Sequence, residues 1–450
     1  MDSDIGKSED RISKLPDALL CHILSFLSTK NAVGTSILST RWRNLWTSVP
    51  KLDFDDNEFF CEYARLSEER KIEVDLSFQD FMNTVLRLSD APCFQKFRIK
   101  VRNPGHLDLF DTWISAAIER NVLVLDLELR DDIETNVKLP HTIFTSKTLV
   151  VLTLWEAFLD VPGSVWLPSL KSLNLHSVKY ENEDSLLKLL SGCPVLENLY
   201  MVRWILDTLQ VLNISVPTLK HLTVIWYRDY FQDEDLEDLD DQGCKLVVDA
   251  PQLEHIYLSD YCTDEFLFRN LQSLSKASLF VGSSDLSFID DGLRIYRLLS
   301  GIPNVKFLDA HFSFQTDVDD YMLPTFHNLT ELKLGGGGDD SWNLKLLSDF
   351  LQCSPNLETL ILEGNVLDTS DKSWNPPQEV PSCLLLHLKK IRIQKFSGKN
   401  YELRVIGYLL KNAKVLKKMT IDSQNLDDCC CGELTALPRG SKTCQLHLLL

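Results

Sequence analysis

The chain has 450 residues and a formal net charge of −19 at pH 7. Its 44% apolar and 25% charged residues are those of a folded globular protein, but the length points to several domains or an elongated repeat array rather than one compact core. So large a negative charge argues against general binding to nucleic acid or to anionic membrane, both of which are polyanions.

The start of the chain, MDSDIGKSEDR, is polar and carries no apolar signal segment, and no run of 18 apolar residues occurs. The expectation is a cytoplasmic and/or nuclear protein with reduced thiols. The 12 cysteines include no Cys-x-x-Cys pair. The run Cys429-Cys430-Cys431 reads as a terminal loop of free thiols rather than a zinc site, and no metal or cofactor is expected.

In chain order, residues 1–10 are expected to be disordered. Residues 11–56 follow as a compact helical unit. In ISKLPDALLCHILSFL the positions Leu15, Leu19, Ile23 and Leu27, with Leu20 and Leu24 beside them, recur at helical spacing. Pro16 suits a first helical turn, where a missing N–H costs nothing. In the second segment, STKNAVGTSILS, Thr29 is the expected cap and Gly34 the end. In STRWRNLW, Trp42, Leu45 and Trp46 share a face. Three short helices in about 40 residues bury little alone, so this unit calls for a partner surface. Residues 57–93 read as a connecting segment.

From residue 94 the pattern apolar-x-x-apolar-x-apolar recurs, from Phe94-Phe97-Ile99 through to Leu416-Met419-Ile421. Its thirteen copies have first positions 21 to 34 residues apart, mostly within the range of leucine-rich repeats. Before four copies, within 185–201, 292–310, 344–362 and 403–421, apolar spacing of 3 and 4 gives way to a Pro or Asn and then to period two. That switch predicts helix, turn, strand. Stacked units then bury a continuous sheet with helices outside. The fold class is therefore α/β: a short helical unit, then an irregular leucine-rich-repeat solenoid (a horseshoe) over 94–372, continued by 373–450.

Three features stand apart. Residues 229–243 carry eight acidic side chains between Asp229 and Asp241; they read as a mobile loop, since the central Gly and ligand spacing of a calcium loop are missing. GGGGDD (335–340) reads as a flexible loop, without the Lys-Ser/Thr of a phosphate cradle. Between Leu384 and Thr420 ten Lys or Arg stand against one acid, Glu402; this stretch either holds an acidic partner or pairs with the acidic centre, and the second reading is preferred.

In a repeat strand, the neighbours of the two inner apolar residues face the open side of the sheet. They are Trp155, Asn198, Tyr200, His221, Ile225, His255, Tyr257 and Phe280, read either as a surface that binds a protein substrate or as positions covered by other elements. No nucleophile elbow, His-Glu-x-x-His or phosphate loop is present, so no catalytic residues are expected and the chain is not expected to be an enzyme.

Two segments resemble known motifs. Residues 10–56 resemble a plant-type F-box, through Leu15-Pro16, Ile23-Leu24, Leu27, Thr35-Ser36, Leu38-Ser39, Arg41-Trp42, Leu45-Trp46 and the trailing Pro50-Lys51-Leu52-Asp53-Phe54. The family often has Pro where Ser28 stands and Lys where Thr40 stands. Residues 373–450 resemble the FBD region of plant F-box/leucine-rich-repeat proteins, through Trp374-Asn375-Pro376-Pro377, Val380 to Leu384, Leu388 to Ile393, Phe396-Ser397-Gly398, Glu402-Leu403, Leu409 to Ala413 and Leu416 to Met419. The ending, Leu448-Leu449-Leu450, departs slightly and is read as disordered.

The resemblance implies an SCF-type (SKP-cullin-F-box) ubiquitin ligase subunit. The F-box would dock on a SKP-type adaptor, and through it on a cullin and a RING subunit. The repeats would hold a protein substrate, with no nucleic acid and no membrane as partner. The implied adaptor contacts are Leu15, Pro16, Leu19, Ile23, Leu24, Leu27, Ser36, Leu38, Trp42, Leu45 and Trp46. For Leu19, Leu20 and Leu45 an intramolecular core role stands equally open. The alternative function is a repeat scaffold not engaged in ubiquitination; a small molecule held under the target is a third possibility.

Overall fold

The computed structural model describes the chain except residues 1–10, 13, 60–67, 103–106, 130–137, 205–208, 228–243, 283–290, 314–321, 337–343, 365–373, 375, 424–427 and 450. The expected terminal disorder of 1–10 and the acidic run 229–243 therefore lie outside the described residues. The chain forms two compact units, residues 1–196 and 197–450.

The first unit opens with α1 (Asp17–Leu24) and α2 (Thr29–Gly34), followed by 3-10 turns at Thr35–Ile37 and Trp42–Ser48. The third expected helix is thus a 3-10 segment. Pro16 sits one residue before α1, at its N-cap, and not inside the first turn. Ser28, not Thr29, caps α2, its side chain accepting from the Asn31 N–H. Thr29 is buried instead, and its Oγ1 accepts the Asp53 N–H at 2.7 Å. That bond ties the helical unit to a strand that begins the sheet.

This strand, β1 (Lys51–Asp55), pairs in parallel with β2 (Lys96–Val101), followed by β3 (Val124–Leu129), β4 (Val151–Trp155) and β6 (Ser172–His176); β5 (Phe158–Leu159) and β7 (Lys179–Tyr180) pair beside them. Val49, Leu52 and Phe54 repeat the apolar triplet and are buried, so the sheet starts inside the segment read as the F-box. The segment read as a connection contains α3 (Glu68–Leu88), which packs on α4 (Leu107–Glu119). Phe78 of α3 meets Trp113 of α4 edge-on at 5.9 Å, and the Trp113 Nε1–H donates to Asn83 at 2.9 Å. The last helix of this unit is α5 (Asp184–Ser191).

In the second unit the parallel strands are β8 (Asn198–Trp204), β10 (His221–Tyr227), β12 (His255–Asp260), β14 (Lys276–Gly282), β15 (Phe307–Ser313), β16 (Glu331–Gly336), β17 (Thr359–Glu363), β18 (Lys390–Gln394), β19 (Lys418–Asp422) and β20 (Gln445–Leu449), each paired with the next. The thirteen triplets of both units are buried throughout. Four of the lead-ins are helices: α5, α6 (Asp291–Ser300), α7 (Leu344–Cys353) and α9 (Asn400–Asn412), with the short α8 (Ser382–Leu386) between the last two.

Four expectations change here. Between β8 and β14 the outer layer is not helical: β9 (Val211–Ser215), β11 (Cys244–Asp249) and β13 (Thr263–Arg269) form a second parallel sheet. VLNIS and CKLVVD alternate with period two, which suits a strand and gives no helical stripe. The three cysteines at 429–431 lie in α10 (Asp428–Ala436), not in a loop, and Leu448 and Leu449 lie in strand β20 (Gln445–Leu449) rather than in a disordered tail. Gly335 and Gly336 belong to β16.

Buried polar groups fix the outer layers. Arg294 of α6, almost fully enclosed, donates from Nε to the Thr263 carbonyl at 2.8 Å and lies 3.4 Å from Asp260. Asp260 in turn accepts the N–H groups of Cys262 and Thr263. At the start of α9 the buried Glu402 accepts from Ser397 Oγ at 2.8 Å and from the Lys399 N–H at 3.0 Å. Burial pushes its carboxyl above the usual range, against the pull of these bonds.

Candidate interaction surfaces

The helical unit of residues 12–54 divides into an inward and an outward set. Leu24, Trp42, Leu45 and Trp46 are buried. They pack inward with Leu20, which is the core role left open for Leu45, and set Leu24, Trp42 and Trp46, expected as adaptor contacts, behind the outward set. The physical reason is size: a unit this small has few other side chains with which to exclude water. Leu15 is half-buried and Pro16 exposed. Leu19, Ile23, Leu27 and Leu38 are exposed large apolar side chains, the last at 63%. Ser36 is half-buried, and its hydroxyl has no hydrogen-bond partner among the described residues.

Sequence reasoning missed three members of the outward set: Ile12, Phe26 at 73% exposure and Ile37 at 90%. The signal was present. Phe26 follows Ile23 by three residues on the turn after α1, and Ile37 closes the 3-10 turn beside Leu38. Arg41 braces this surface, 2.6 Å from Asp17 and donating to the Leu15 carbonyl. Seven exposed large apolar side chains within 27 residues are far more than scattered surface hydrophobics provide.

The open strand faces of the two units differ in chemistry. In the first unit, Arg98 of β2 reaches Asp53 at 3.5 Å, Asp126 at 3.5 Å and Glu128 at 3.4 Å, on the strands to either side. Lys96 lies 3.7 Å from Asp126, and Lys100 pairs with Glu128. This face is a cross-strand lattice of opposite charges, which stabilises the pairing. At its far end Trp155 stacks on His176 with centroids 3.5 Å apart. Burial pushes the His176 imidazole down to about 4.

In the second unit the face begins aromatic. Asn198 and Tyr200 of β8 are half-buried, as are Ile225, Tyr257 and Phe280, while His221 and His255 are exposed. All seven point away from the apolar core, as the alternation requires. The two histidine rings lie 4.9 Å apart, and Tyr257 lies 5.3 Å from Phe280. Burial, then the nearby His221 and Lys276, lower the basicity of His255. Phe280 stacks on His311, with centroids 4.4 Å apart and planes 11° from parallel.

The His311 ring lies over Gly335, where a Cβ would come within 2.1 Å of Nδ1. His311 Nε2 also sits 2.8 Å from Asp309. The reading missed His311 and Phe307, which is 43% exposed on the same strand.

Beyond these, Lys333 bridges Glu363 at 2.5 Å and Asp309 at 3.7 Å. Burial opposes its charge, but the Glu363 hydrogen bond and the Asp309 charge hold the ammonium above its usual value. Lys333 correspondingly lowers Glu363. At the C-terminal strands the face turns basic. Of the ten cations between 384 and 420, Lys389 pairs with Glu358 at 2.6 Å, Arg392 with Asp422 at 3.8 Å and Lys395 with Glu363 at 3.7 Å. These partners lie outside the acidic run 229–241, so the preferred pairing of basic stretch with acidic centre does not account for them.

Comparison with known proteins bears on both surfaces. An F-box domain model matches residues 12–54. A model described as At1g61320/AtMIF1, LRR domain, matches residues 92–445. The F-box/FBD/LRR-repeat protein At1g78750 of Arabidopsis thaliana is 31% identical over 99% of this chain and 97% of its own length. The chain belongs to the plant F-box/leucine-rich-repeat family. Two further Arabidopsis thaliana relatives in this family are the putative F-box protein At1g58310, 36% identical over 89% of this chain and 85% of the relative, and the FBD-associated F-box protein At5g22730, 30% identical over 97% and 94%. The exposed apolar set thus lies within the F-box of this family member, and both open faces, apart from Asp53 of β1, lie within its repeats.

Proposed function

We propose that this chain is the substrate-recognition subunit of an SKP-cullin-F-box ubiquitin ligase. Its F-box docks on a SKP-type adaptor, which links it to a cullin and a RING subunit, and its repeats hold a target protein for ubiquitination. The chain itself contributes binding and no catalytic group, and works in the cytoplasm or nucleus. The observation that carries this reading is the outward apolar set Leu19, Ile23, Phe26, Leu27, Ile37 and Leu38 within the F-box match. Full burial of each such side chain is worth about 1.5–3 kcal/mol, less the cost of association.

The test is adaptor binding by the full chain and by an Ile23→Asp, Ile37→Asp double variant. Deleting residues 1–55 would strip β1 from the sheet, so point charges are the cleaner probe. The expected result is tight binding by the wild type and at least a hundredfold loss in the variant, with the melting temperature unchanged. Equal binding by both would sink the docking face. No binding by a folded wild type would favour a repeat scaffold outside ubiquitination.

A further inference from the structure

One register row on the open face of the second unit runs from Lys276 through Phe307, Glu331 and Thr359 to Lys390 and Lys418. Phe307 is exposed on β15, opposite Lys276 and four residues along the strand from His311 of the Tyr257–Phe280–His311 stack. Three and four strands further on lie β18 and β19, where Lys390 and Lys418 are directly opposite each other in the parallel register and both exposed. Like charges facing across a strand pair are destabilising. Arg392 adds a third cation to this face, and Asp422, 3.8 Å away, is the single carboxylate among the face positions of these two strands. Between the two regions Lys333 lies against both Asp309 and Glu363, and Glu331 shares the register row of Phe307 and Lys390, so the intervening strands carry no excess of cations and the basic end of the face is confined to β18 and β19.

We infer that this face takes an extended polypeptide with a bulky apolar side chain at one end and a cluster of Asp or Glu four to six residues away. This deepens the proposed function and rests on the reading that the repeats hold the target. Neighbouring strands lie about 4.8 Å apart, so three or four steps span roughly 14 to 19 Å, and an extended chain rises about 3.3 Å per residue. The apolar residue packs beside Phe307. The carboxylates relieve the Lys390–Lys418 repulsion.

The probe is a fluorescein-labelled peptide with one Trp, a five-residue Gly/Ser spacer and Glu-Glu-Glu, titrated against the full chain bound to its adaptor. It is expected to bind at least tenfold tighter than the same residues without the spacer between Trp and Glu. Lys390→Glu with Lys418→Glu should lose at least tenfold, and should gain affinity for the matching Lys-Lys-Lys peptide. Phe307→Ser should lose affinity for both peptides. Absence of binding, indifference to spacing or to charge reversal, or equal competition by a single-stranded oligonucleotide would overturn the inference. Because adaptor binding is read in the same sample, its retention alongside a peptide failure leaves the ligase reading intact. Loss of adaptor binding by the wild type removes the ligase reading without touching the peptide result.

Discussion

At the residue scale, His176 shows how packing sets a pH response. Its imidazole titrates near 4 in the folded chain, against 6.5 unperturbed. The unfolded chain therefore binds more protons than the folded one between those values, and stability falls as pH drops from about 6.5 toward 4. His176→Gln should flatten that part of the melting-temperature profile relative to wild type; an identical profile would contradict the assignment. Gly335 makes a steric prediction. A Cβ there collides with His311, so Gly335→Ala should displace the ring from Phe280 and loosen the aromatic stack. A weakened near-ultraviolet dichroism signal with the far-ultraviolet signal kept would report it. Residue-level exposure was the least legible feature of the sequence. Trp42 and Trp46 read as anchors because large aromatics dominate interfaces, yet they close a small core, while Phe26 and Ile37 point outward. Helical spacing identifies a face but does not say which molecule covers it.

At the element scale, the strands were readable because one physical rule governs each. An apolar triplet with period two must bury its inner pair, and all thirteen do. The four helical lead-ins were readable for the same reason at period 3.6. The second sheet β9–β11–β13 was not, because its alternation falls in the gaps between triplets and resembles loop sequence until it is paired. The joint between that sheet and α6 depends on the buried Arg294–Asp260 pair. Arg294→Ala leaves Asp260 uncompensated and should cost about 3–5 kcal/mol, seen as a shift in the denaturant midpoint; a change within experimental error would contradict that role. Glu402→Ala removes the acceptor that holds the first turn of α9 and should cost about 1–3 kcal/mol.

At the scale of the whole molecule, the division of labour follows from what each part can bury. The F-box leaves its apolar set outside, which suits a partner of complementary apolar surface. The repeats bury theirs and leave polar, aromatic and charged side chains on an open sheet face, which suits selection among targets. The most direct test of the account is light scattering of the full chain mixed with a SKP-type adaptor, a cullin and a RING subunit. The account predicts one complex containing all four, dissolved into free chain and ligase core by Ile23→Asp with Ile37→Asp. A folded wild-type chain that elutes alone would contradict it.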